Sequence, residues 1–201
     1  MPNMITGKAA AFAQPNVDTD VIMPKRFLKT INREGLADGT FADLRFTEDG
    51  AVRPDFVLNT ADWRDASILV VGNNFGCGSS REHAVWGLKQ LGINAVIGTD
   101  FGGIFYDNAR KNGLALPLVS QAPRDMLLKL ASDLNSAQFT INISEKTIEA
   151  GDKSFGFEMG ETVQTALVEG QDETLDTLKL ADHIRAFEAL TPPSTKLSVN
   201  K

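Results

Sequence analysis

The chain has 201 residues, 42% of them hydrophobic and 23% charged, and a formal net charge of −6. This is ordinary globular composition, enough for one domain with an appendage, and it argues against a disordered chain or one that needs a disulfide or metal to fold. With no long lysine or arginine run to neutralise a phosphate backbone and no stretch approaching ~20 apolar residues, neither nucleic acid nor a membrane is an expected partner.

GKAAAFA at 7–13 predicts a first strand, and QPNVDTD at 14–20 a turn-rich connection. PKRFLKTINR at 24–33 reads as a helix with Pro24 in its first turn and Lys25, Lys29 and Arg33 along one face. Residues 41–46 suggest another short helix. SILVV at 67–71 is a continuous apolar run, the mark of a strand buried on both faces. REHAVWGLKQLG follows, with Ala84, Leu88 and Leu91 on one helical face and Gly92 as its stop. NAVIG at 94–98 predicts a strand, 100–113 a helix, and LALPLV at 114–119 a further strand. Alternating strands and helices of this kind imply parallel crossovers. Beyond them, 123–133 reads as a helix, and QFTINI with KTIEA as a hairpin turning at Ser144 and Glu145. The expected organisation is α/β. It has a single core over about 5–170, a helical C-terminal extension over about 172–191, and a loose tail from Pro192 to the end.

Residues 72–84, GNNFGCGSSREHA, concentrate the chemistry. One account is structural: Ser79-x-x-Glu82 fits a capping box opening the next helix, worth ~1 kcal/mol, with Gly76 and Gly78 easing the turn. It leaves Ser80, Arg81 and His83 unexplained. The other account is an anion site. A helix N-terminus offers N–H groups and partial positive charge, Arg81 can fork onto a carboxylate or phosphate, and two hydroxyls stand beside it. A Walker A loop is excluded because no lysine precedes the serines. A dinucleotide loop fits Gly76-x-Gly78 and Asp100 but places Arg81 at the third glycine position, where it crowds the packing. A Cys77 nucleophile served by His83 or His183 has no supporting spacing, and His83 lacks neighbours for a metal. Cys77 is the chain's one cysteine. It can form no internal disulfide and cannot supply the thiolates of an iron–sulfur cluster, and it fits a reducing cytoplasm. The N-terminal stretch lacks a signal-peptide core.

GNNFGCGSSREHA resembles the signature of the aconitase superfamily's swivelling domain. NVDTDVIMPKRFLK at 16–29 and DFGGIFYDNARKNGLALP at 100–117 narrow the likeness to the bacterial small-subunit family of 3-isopropylmalate dehydratase, over most of residues 5–120. The resemblance implies a swivelling β/β/α domain and a hydro-lyase reaction in leucine biosynthesis. That reaction interconverts 2- and 3-isopropylmalate by dehydration and rehydration in a complex. It assigns a four-iron–four-sulfur cluster to a large-subunit partner and no metal to this chain. Carried over by motif, Ser79 is the proton-abstracting group and Asp20 a catalytic aspartate. By the same resemblance Ser80 is a substrate-binding hydroxyl and Arg81 the clamp on the substrate's carboxylate. The segment Lys25, Arg26, Phe27, Leu28, Lys29 and Thr30 is the candidate for reading the substrate's variable side chain. The alternatives are a small subunit acting on another hydroxy acid, such as homoaconitate or a methylmalate, and a non-catalytic ligand-binding module.

Overall fold

The computed structural model describes residues 3–28, 35–79, 81–169 and 180–190. Its centre is one long strand, β1 (Met4–Phe12), which serves two neighbours in different ways. The N-terminal half, Met4 to Lys8, pairs antiparallel with β4 (Gln138–Asn142), and the C-terminal half, Ala9 to Phe12, pairs parallel with β2 (Ile68–Val71). With β3 (Ala95–Ile97), β5 (Thr147–Ala150) and β6 (Lys153–Gly156), the order across the sheet is β3-β2-β1-β4-β5-β6. One half is therefore parallel and the other an antiparallel meander.

All four residues of β2 are buried, as its unbroken apolar run requires of a strand covered on both faces. The period-2 alternation sorts the side chains into two cores. Leu69, Val71, Val96 and Ala10 face one, together with α3 (Glu82–Gln90), α4 (Gly103–Lys111) and the short helices α1 (Thr19–Ile22) and α2 (Ala42–Arg45). Ile68, Val70, Ile97 and Ala9 face the other, with α5 (Gln121–Ala131), the meander, and Leu167 of α6 (Glu161–Glu169). Helix α3 stops in a Schellman turn: the Gly92 N–H reaches the Lys89 carbonyl at 3.0 Å and the Ile93 N–H the Leu88 carbonyl at 2.9 Å.

Two expectations change. The segment 24–33 is not a helix where it is described: Pro24 is extended, and a 3-10 turn covers only Lys25–Phe27. Lys29, Thr30 and Arg33 lie outside the described residues. LALPLV runs beside β3 without becoming a full strand. Single bridges form at Ala115 and Leu118, and Pro117 between them has no N–H to continue the ladder. The structure adds β6 and α6, which were not expected. β6 is short and mostly exposed, so it carries little hydrophobic signal.

The chain divides into two compact units, Met1–Gly170 and Gln171–Lys201. In the second, the described residues form α7 (Ala181–Leu190). The rest of the expected extension, and Pro192 and Pro193, lie outside the described residues. No helix among the described residues is long and apolar enough to cross a membrane.

Candidate active site

Parallel strands deliver their following loops to one edge, and that edge is where open α/β sheets bind ligands. The connections after β1, β2 and β3 meet there. The segment after β1 lies alongside the loop after β2 as if extending the sheet. The Asn16 N–H donates to the Asn73 carbonyl at 2.8 Å and the Gly76 N–H to the Val17 carbonyl at 2.7 Å. The Thr19 N–H donates to the Cys77 carbonyl at 2.9 Å, and the Thr19 hydroxyl to the Ser79 carbonyl, also at 2.9 Å. Val17, Thr19, Ile22 and Met23 are buried, so this support is anchored in the core. Asp18 caps α1 by accepting from the Val21 N–H at 2.8 Å.

The third loop closes the far side. The Gly102 N–H donates to the Phe75 carbonyl at 2.9 Å, and a Cβ at Gly102 would run into the Gly76 carbonyl. Gly76 has φ +73°, and a Cβ there would collide with the Phe105 ring. Gly76→Ala should therefore destabilise the chain by about 2–4 kcal/mol, combining left-handed strain with overpacking. Gly50→Ala, at φ +85° but facing open space, should cost only about 1 kcal/mol. Urea denaturation of both variants checks the difference.

The capping box does not form. Helix α3 begins at Glu82, its N-cap is Arg81 in an extended conformation, and no side chain caps it. Glu82 instead accepts from Asn112 Nδ2 at 2.7 Å, and Asn112 Oδ1 accepts from Trp86 Nε1 at 2.8 Å, tying the start of α3 to the end of α4. The Arg81 side chain reaches α1 and the residue that follows it. Its Nη1 donates to Asp20 Oδ1 and lies 3.5 Å from the Met23 carbonyl oxygen. The Arg81 side chain is 11% exposed and that of Asp20 44%. A guanidinium has five donors, more than these two acceptors use. Ser79 is exposed at the tip. The structure thus brings together Asp20, Ser79 and Arg81, three of the four residues expected at the centre. Ser80 lies outside the described residues.

The segment expected to read the substrate's side chain, 25–30, is described only as far as Leu28. Lys25 is exposed, and Arg26 is held by Asp43 at 2.5 Å, in a cleft of about 430 Å³ also lined by Phe46, Thr47, Glu48 and Arg53. Two other candidates, His83 and Asp100, have partners of their own. The His83 ring packs on Trp86 at 4.8 Å between centroids, and Asp100 accepts from the Thr99 hydroxyl. Among the described residues no group of three or more His, Cys, Asp or Glu could hold a metal ion.

Two supporting residues carry no distinctive sequence signal, Thr19 and Arg124. Thr19 stands between two more conspicuous aspartates. Arg124, 6% exposed, reaches from α5 to Asn73 Oδ1 at 2.8 Å at the root of the loop. An arginine inside an amphipathic helix looks like a solvated face, so only the tertiary structure reveals it.

Residues 3–123 match the family model of the aconitase C-terminal domain. The 3-isopropylmalate dehydratase small subunit 2 of Salmonella typhimurium is 44% identical over 92% of this chain and 88% of its own length. The small subunit 1 of Mannheimia succiniciproducens is 46% identical over 92% of each. The solved 3-isopropylmalate dehydratase structure from Methanocaldococcus jannaschii superposes with a TM-score of 0.65 at 26% identity, covering 92% of this chain and 99% of that one. With its motifs, its swivelling-domain fold and these likenesses in agreement, the chain belongs to the aconitase C-terminal domain family and, within it, to the small subunits of 3-isopropylmalate dehydratase.

Proposed function

We propose that this chain supplies the proton-transfer and carboxylate-binding half of a 3-isopropylmalate dehydratase active site, in the cytoplasm, docked onto a large subunit that completes it. The observation that carries this reading is the Arg81–Asp20 pair, with Arg81 two residues along the chain from an exposed Ser79. A nearly buried guanidinium with donors to spare suits one carboxylate of a small dicarboxylic hydroxy acid.

In this reading Arg81 forks onto that carboxylate and Ser80 adds a hydroxyl contact. Asp20 holds the guanidinium in place and supports proton movement. Ser79 Oγ takes the carbon-bound proton. A serine hydroxyl is too weak a base, so Ser79 acts as its alkoxide, which the N–H groups at the N-terminus of α3 stabilise and which becomes the neutral hydroxyl on taking the proton. The residues of this chain do not fit an iron–sulfur cluster: it has one cysteine, against the three or more thiolates such a cluster needs. We assign the four-iron–four-sulfur cluster to the large subunit.

Two outcomes test this. The chain purified alone should carry no stoichiometric iron or sulfide and no isomerase activity. Reconstituted with the large subunit, it should turn over 2-isopropylmalate with higher kcat/KM than homoaconitate or methylmalates. A cluster on the isolated chain, or a preference for another hydroxy acid, would overturn the corresponding part of the proposal.

A further inference from the structure

We infer that the hydroxyl of Thr19 is a positioning group that sets the proton-abstracting serine, a role that rests on reading Ser79 as the base. Thr19 is 1% exposed, and both of its donors are committed to the loop after β2. Its N–H goes to the Cys77 carbonyl and its Oγ1 to the Ser79 carbonyl, each at 2.9 Å. A buried threonine hydroxyl ordinarily satisfies itself locally on a nearby carbonyl of its own helix. This one crosses to a residue 60 positions away.

The target of that bond gives it meaning. Ser79 is exposed, so side-chain packing does little to fix it, and it follows two glycines at φ +73° and +91° that leave the backbone permissive. Within the register that links 16–20 to 73–81, Asn16 holds Asn73, Val17 holds Gly76, and Asp20 holds Arg81. Thr19 is the member that reaches Ser79 itself. Its Oγ1 fixes the serine's peptide while leaving the serine side chain directed by that peptide. A base must stand within hydrogen-bond reach of the proton it takes, and a misplacement of about 1 Å can cost ~10²-fold in rate.

The test uses the complex with its cluster-bearing large subunit. Thr19→Val keeps the shape and removes the donor. It should lower kcat by about 10- to 100-fold, with KM and the amount of large subunit needed for saturation unchanged. Thr19→Ser restores the donor and should recover most of kcat. Thr19→Cys, a weak donor, should fall between the two, and it decides the matter if Thr19→Val does not fold. In a Ser79→Ala background, Thr19→Val should cost nothing further. Wild-type kcat in Thr19→Val or Thr19→Cys, an equal loss in Thr19→Ser, or a change confined to KM would overturn the assignment. Full turnover by Ser79→Ala alone would instead remove the base assignment beneath it.

Discussion

Replacing Ser79 with alanine should lower the turnover of the reconstituted enzyme by about 10²–10⁴, the usual contribution of a positioned acid–base group. The same variant should melt within about 0.5 kcal/mol of the wild-type chain. That combination follows from the geometry. Ser79 is exposed, and α3 starts three residues later with Arg81 as its N-cap, so alanine removes no helix cap. Had the capping box formed, the variant would have lost ~1 kcal/mol as well. Steady-state kinetics of the complex and thermal melts of the chain separate the two effects. Near-normal turnover would place the base elsewhere.

Arg81→Lys should reduce kcat/KM by about 10- to 100-fold although the charge is kept. Lysine can still meet Asp20 as a point charge, but it cannot present two parallel donors to a planar carboxylate. The defect should be absent from stability. The Asp20 side of the pair is 44% exposed, and partly exposed pairs contribute roughly 0–1 kcal/mol. Kinetics of the complex over a range of substrate concentrations check this. If catalytic efficiency were unchanged, the carboxylate clamp would move to another cation. Lys25 would then be the better candidate, since Arg26 is already engaged by Asp43.

The elements legible in the sequence are those whose signal is local. SILVV announces a buried strand, and Ala84 and Leu88 recur at helical spacing before Gly92. The loop between them stands out because glycines, hydroxyls and an arginine share a few positions. Where tertiary contacts decide, the sequence misleads. Ser79-x-x-Glu82 has the spacing of a capping box, yet Thr19 draws the Ser79 carbonyl away and Asn112 takes the Glu82 carboxylate. PKRFLK has helical composition, yet the extended Pro24 and a single 3-10 turn carry the chain off α1. The mixed character of β1 was also hidden, because an alanine-rich strand gives no sign that its first half will pair antiparallel with a segment some 130 residues away.

The most direct measurement is a titration of this chain into a fixed amount of cluster-bearing large subunit, with 2-isopropylmalate as substrate. Isomerisation should be negligible at the start, rise in proportion to added chain, and saturate once every large subunit is paired. With the Ser79→Ala chain, the same amount should saturate the partner at a small fraction of that activity. A large subunit fully active without the chain, or a mixture inactive at every ratio, would contradict the account of this chain as half of the active site.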